Sequence, residues 1–138
     1  MEPEPIYFEV PGPFAVKGST FSFKDRRGVV RTKQDSKHLK SFVSAVRWAA
    51  RVARVPLVPK GRGVTLSVVY SFARPKGRDR WRADPCVRPD VDKLSRALLD
   101  ALTGVAYHDD GQVVALSVRK IYAPMVRARV IVMAEPAS

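Results

Sequence analysis

The chain has one cysteine, Cys86, and two histidines, His38 and His108, in 138 residues. A single thiol closes no internal disulfide, and scattered His and Cys offer no nitrogen-and-sulfur set for zinc; a reducing compartment suits such a chain. No apolar run approaches the roughly 18 residues that span a bilayer. The opening MEPEPIYFEV reads as an acidic tip running into a strand rather than a leader, so export is not expected. Repeats, low-complexity tracts and long linkers are absent, which points to one domain over residues 1–138. Nothing suggests a haem or nucleotide cofactor. Acids are scarce: 13 Asp and Glu stand against 25 Lys and Arg, a formal charge of +12, and none falls between residues 36 and 54. That imbalance makes a polyanion the default partner, with a merely basic surface as the plainer alternative. No membrane partner is expected, because the basic helix described below has an ordinary core-facing apolar stripe.

What is present is a packed domain, with 46% hydrophobic residues grouped in periodic runs. Residues 6–10 predict a strand ending at Pro11-Gly12-Pro13, and residues 14–34 a loose hairpin with a turn at Arg27-Gly28. A helix is predicted over 35–54, with Leu39, Phe42, Val43, Val46, Ala50 and Ala53 facing a core. Its other side gathers Lys37, Lys40, Arg47, Arg51 and Arg54, which is either a solvated face or a phosphate-facing stripe. Residues 64–73 predict a strand, and residues 74–89 a basic loop holding five Arg, one Lys and Trp81. That tryptophan either stacks on a base or pins the loop to the body. A second helix is predicted from Pro89 or Asp90 to Leu102 or Thr103, with Val91, Leu94, Leu98, Ala101 and Leu102 inward and Gly104 as its stop. Strands at 112–118 and 127–133, separated by a turn around Pro124, predict an antiparallel final pair. The expected class is α+β: a small mixed sheet packed with two main helices.

Asp90 and Asp92 flank Val91 at the second helix's start, and Asp109-Asp110 follows in a turn. If the chain reverses along the helix, these carboxylates converge. Oxygen ligands suit a hard ion such as Mg²⁺, and phosphodiester hydrolysis uses such an ion to polarise the phosphoryl group and activate water. Arg96 shares the helix face of Asp92, where it can fix a carboxylate or stabilise charge on a phosphate. The plainer reading is that Asp90 caps a helix and Asp109-Asp110-Gly111 makes a turn. Spacing alone leaves both open.

The stretch 88–113, RPDVDKLSRALLDALTGVAYHDDGQV, closely resembles the RusA family of Holliday junction resolvases, small endodeoxyribonucleases of phages and prophages. The family pattern is Asp-x-Asp-Asn, a Leu-rich helix with a Lys, Asp-Ala-Leu-x-Gly, and Asp-Asp-x-Gln-Val. Val10-Pro11-Gly12-Pro13 with Lys17, Arg74-Pro75-Lys76 and Lys120 extend the likeness over most of the chain. The resemblance implies a homodimeric, Mg²⁺-dependent enzyme, with Mn²⁺ as a substitute. It would resolve four-way DNA junctions by paired nicks in the bacterial cytoplasm. It implies Asp90, Asp92 and Asp110 as catalytic metal ligands, Asp109 as an accessory acid or turn former, and Asp100 as a structural partner. Lys17, Lys40, Arg47, Arg51, Arg74, Lys76, Arg78, Arg88, Lys93 and Lys120 are the expected DNA contacts. The chain departs from the pattern twice: Lys93 replaces the usual Asn, and Arg96 takes the place of the helical Lys. Arginine keeps the charge but is a poor proton donor. The rival readings are a nuclease on flaps or other branched DNA, and a non-catalytic basic nucleic-acid-binding module.

Overall fold

The computed structural model describes residues 3–17, 20–24, 26–34 and 38–136. Six strands and two main helices follow in the order β1 (Ile6–Pro11), β2 (Thr20–Lys24), β3 (Val30–Gln34), α1 (Leu39–Val52), β4 (Val64–Phe72), α2 (Val91–Leu102), β5 (Val113–Tyr122) and β6 (Arg127–Ala134). β2 and β3 form a separate antiparallel ribbon, as the hairpin reading of residues 14–34 requires, turning at Gly28 with its positive φ of 78°. The other four strands make one mixed sheet in the order β1-β6-β4-β5.

The α+β reading with a mixed sheet and two helices therefore holds, but the predicted final pair does not. β5 runs parallel to β4, and β6 pairs antiparallel with β4 on its other side and with β1 beyond. The hairpin rule assumes that consecutive strands are neighbours. Here the chain leaves β5 and crosses the end of β4, where Ala123 donates its N–H to the Phe72 carbonyl and Ser71 Oγ donates to the Met125 carbonyl at 2.6 Å. β5 also continues to Tyr122, through residues expected to turn. A parallel β4–β5 pair needs a long crossover, and residues 73–112, which include α2, supply it.

Alternation decides which face is covered. Val64, Leu66, Val68 and Tyr70 of β4, Ala128, Val130 and Val132 of β6, and Phe8 and Val10 of β1 are buried under the helices. Tyr7 and Ile131, on the opposite face, are exposed. α1 contributes Phe42, Val46 and Ala50 to this core, while Leu39, Val43 and Ala53 are partly buried against it. The predicted helix start at residues 35–37 lies outside the described residues. Trp48 and Val52 stand one turn apart on the outer face of α1, 70% and 63% exposed.

α2 buries Leu94, Ser95, Ala97, Leu98, Ala101 and Leu102. Val91, expected as the first inward residue, is instead 42% exposed. It shares their stripe by spacing but lies in the first turn, where its carbonyl accepts from Ser95 Oγ at 2.6 Å. The Tyr70 hydroxyl donates to the Leu94 carbonyl at 3.3 Å and ties α2 to the central strand. Phe14, on the arm after β1, packs edge-on to Tyr70 and Phe72. That arm ends against α2, where Lys17 N–H donates to the Lys93 carbonyl at 3.1 Å. No helix among the described residues is long and apolar enough to cross a membrane.

Candidate active site

Asp90 occupies the N-cap position of α2 with extended backbone (φ −75°, ψ 147°), yet its side chain accepts no capping hydrogen bond. Its carbonyl receives Leu94 N–H, so the backbone makes the helix start and the carboxylate is left over, exposed. Ordinary capping is therefore not what the Asp90 side chain does. Asp92, one residue into the helix, pairs with Lys93 Nζ at 3.2 Å. That ammonium, hydrogen-bonded to the carboxylate, holds Asp92 below the usual carboxylate range. The charge introduced by Lys93 in place of the family's Asn thus sits directly on a candidate ligand.

The second acidic pair divides its roles. Asp109 caps the short 3-10 turn at Asp110–Gln112: its Oδ1 accepts Gly111 N–H at 2.8 Å, and Gln112 completes a reciprocal capping box. The Gly111 N–H, then the Asp110 side chain, lower the Asp109 carboxyl. Asp110 moves the opposite way. Its hydrogen bond with Asp109, some burial, and the negative charges of Asp109 and Asp100 raise it. One acid makes the turn and the other accumulates unfavourable charge.

Gln112 carries more than its short side chain suggests. Oε1 accepts the N–H of His108 at 2.7 Å and of Asp109 at 3.1 Å, while Nε2 lies 3.1–3.3 Å from the carbonyls of Val58, Pro59 and Arg62. It moors the acidic turn to the loop before β4. Tyr107, fully buried, donates from its hydroxyl to the Leu99 carbonyl at 2.7 Å and fixes the same turn to α2. Sequence reasoning gave neither residue a role. The Asp-x-x-Gln spacing of a capping box was a usable signal for Gln112; Tyr107 had none.

Asp92, Arg96 and Asp100 form one stripe along α2 at i, i+4 and i+8, spanning about 12 Å of helix rise. Lys93 pairs with Asp92, and Lys17 pairs with Asp100. Arg96, exposed between them, makes no ion pair among the described residues. The expected convergence of Asp90, Asp92 and Asp110 is not closed: among the described residues no three His, Cys, Asp or Glu side chains gather as a ligand set. Asp110's acidic neighbours are Asp109 and Asp100, whereas Asp92 answers to Lys93.

The expected DNA contacts also divide. Lys40, Arg51, Arg74, Lys76, Arg78 and Arg88 are exposed. Arg47 is half-buried, its guanidinium lying beside Gly104 at the end of α2. Three have internal partners instead, Lys93 with Asp92 as above and two others. Lys17 pairs with Asp100, and Lys120 Nζ donates to the carbonyls of Val87 and Pro89 at 2.6 and 2.9 Å, clamping the segment that leads into Asp90.

The sequence model of the family described as Endodeoxyribonuclease RusA matches residues 17–133, from the Lys17 arm to the end of the sheet. The chain belongs to the RusA family. RusA membership supports a junction-resolving nuclease function, and the acids described above all lie within the matched region. The chain is also 29% identical over 117 residues to the "Uncharacterized protein YqaN" of Bacillus subtilis (strain 168), covering 80% of this chain and 82% of that relative.

Proposed function

We propose that this RusA-family protein is a homodimeric, Mg²⁺-dependent endodeoxyribonuclease. It resolves four-way DNA junctions by paired nicks, with Asp90, Asp92 and Asp110 as metal ligands. The observation that carries this reading is Asp90: a carboxylate at a helix N-terminus that the helix does not use, in a chain of charge +12. A closed cage is not required, because Mg²⁺ is typically held by one or two carboxylates with waters and substrate phosphate completing its shell. All the candidate donors are carboxylate oxygens, which suits that ion and its substitute Mn²⁺. When bound, such an ion polarises the phosphoryl oxygen and supplies a nucleophile at neutral pH.

The chain's own residues do the rest. Arg96, without an ion pair among the described residues, meets the charge that develops on the phosphoryl oxygens. Proton transfer falls to groups other than Arg96, since a guanidinium rarely deprotonates. Asp109 holds the turn that presents Asp110. Lys40, Arg47 and Arg51 on α1, with Arg74, Lys76, Arg78 and Arg88 on the loop after β4, hold the duplex arms by their phosphates. Two coordinated nicks call for two copies of the site, which a two-fold dimer matched to a four-way junction provides.

The test is cleavage of a synthetic four-way junction with Mg²⁺ by the wild type, Asp90→Asn and Asp110→Asn. Loss of cutting in both variants, with binding retained, is the expected result. Equal cutting by all three overturns the ligand assignment, and a wild type that binds without cutting in Mg²⁺ or Mn²⁺ supports the basic binding module instead. Light scattering checks the dimer: a monomer that still nicks symmetrically removes the need for it.

A further inference from the structure

Beside the start of α2 lies a cavity of about 190 Å³ to which the roles above assign no occupant. Phe72 and Tyr122, at the ends of β4 and β5, supply its aromatic wall, and Pro85 and Pro89 stand among its other apolar lining residues. Arg82, Arg88 and Lys120 bring positive charge to it, and no carboxylate lines it among the described residues. Drug-sized ligands occupy pockets of roughly 300 Å³ and upward, so this one suits a single small ring system.

Its chemistry narrows the occupant. Aromatic and proline walls favour a flat, apolar-faced ring, while guanidinium and phenol groups offer donors to carbonyl or ring-nitrogen acceptors at the ring's edge. The walls are also held in place. Arg82 pairs with Asp79 at 2.9 Å. The Arg74 guanidinium lies 5.1 Å from the centre of the Tyr122 ring and donates to the Arg82 carbonyl at 3.1 Å. Lys120 clamps the opposite lip through the Val87 and Pro89 carbonyls. Pro89 both lines the cavity and precedes Asp90 in the chain, so the cavity adjoins the backbone segment that leads into the carboxylate the helix leaves unused. Trp81, adjacent to Arg82 and 75% exposed, adds an aromatic surface on the same loop.

We propose that this cavity receives one unstacked nucleobase of the DNA at the branch, next to the phosphate to be cut. The proposal rests on the nuclease reading and adds a source of selectivity to it. Taking a base out of the stack is costly in a continuous duplex and cheapest where pairing is already broken. A base-accepting cavity at the start of α2 therefore favours branched over linear DNA without reading the arms' sequence.

The experiment places 2-aminopurine, one position at a time, at the nucleotides flanking the branch of a four-way junction, with Ca²⁺ in place of Mg²⁺. A dye on a distant arm reports binding by anisotropy. One branch position should change its fluorescence severalfold on binding the wild type, and Val87→Trp, which fills the mouth of the cavity, should abolish that change. An independent arm uses the wild type alone. Removing the base at the responding position should lower the preference for junction over linear duplex about tenfold, and Val87→Trp should be indifferent to that removal. No responding position, or an undiminished response in a Val87→Trp protein folded by circular dichroism, overturns the cavity proposal. Cleavage without any response leaves the nuclease reading standing alone, whereas a response without cleavage in Mg²⁺ sinks that reading and keeps the base site.

Discussion

Lys17 and Asp100 form an ion pair across 83 positions of sequence, joining the arm after β1 to the outer stripe of α2. Both side chains keep 41% of their surface exposed, so the pair acts by position more than by strength, and solvent limits its contribution to under about 1 kcal/mol. It places a cation beside Asp100, one of the charges that burden Asp110. A lysine expected to hold DNA is thereby held by the protein.

The consequence is measurable through salt. Each lysine that neutralises a phosphate adds about 0.9 to the slope of log binding constant against log salt concentration. Lys76→Met should reduce the slope by about that amount, whereas Lys17→Met should leave it unchanged. Equal reductions would show that Lys17 leaves Asp100 for DNA.

Gln112→Ala should cut junction cleavage at least tenfold while shifting the unfolding free energy by about 1–3 kcal/mol, the range for orphaned partly buried polar groups. The side chain binds two N–H groups of the acidic turn and lies against three carbonyls before β4. Urea denaturation and cleavage rates on the same preparation separate the two effects. Wild-type activity in the variant would mean that the turn holds Asp110 without it.

Lys93→Asn should lower the Mg²⁺ concentration for half-maximal cleavage severalfold. In the present chain the Lys93 ammonium sits 3.2 Å from an Asp92 oxygen and competes with a cation for it. Titration of activity with Mg²⁺ tests this, and a raised requirement in the variant would mean that the ammonium assists metal binding.

Tyr107→Phe removes the hydroxyl donating to the Leu99 carbonyl and should cost about 1–3 kcal/mol. Burial holds the phenols of Tyr70 and Tyr107 above the usual tyrosine range. A raised folded-state value favours the protonated form, so the stability it lends is complete below the unfolded tyrosine's pKa of about 10 and drains away as pH climbs beyond it. Tyrosinate absorbance should therefore rise in two stages, the second coinciding with alkaline unfolding. A single stage at ordinary pKa, before any unfolding, would contradict the burial of both rings.

Much of this molecule is legible locally. The 3.6-residue periodicity of α1 and α2 and the β-branched run of β4 announce themselves, because each such segment must bury one face. Strand order does not, since β6 lies beside β4 for reasons of packing that no turn signal between β5 and β6 encodes. Val91 matched the apolar stripe by spacing but fell in the exposed first turn. Asp90 was ambiguous in sequence, because a capping and a non-capping aspartate look alike until the N–H groups beside it are seen. Asp109 and Asp110 were separable only by a family pattern; the capping box shows what Asp109 does in the turn, which two adjacent aspartates do not reveal in sequence. The partner of Lys17, so far along the chain, was beyond any local rule.

β6 is the last strand among the described residues, yet it lies inside the sheet, between β1 and β4. A nascent chain emerging from the ribosome therefore exposes every one of the aspartates before its sheet is joined through the middle. Until residues 127–134 arrive, β1 lacks the one strand it pairs with among the described residues and β4 presents an open edge, a state that invites pairing with another chain. A protein shortened to end at residue 126 would retain Asp90, Asp92 and Asp110 in sequence and lose the strand that unites the sheet.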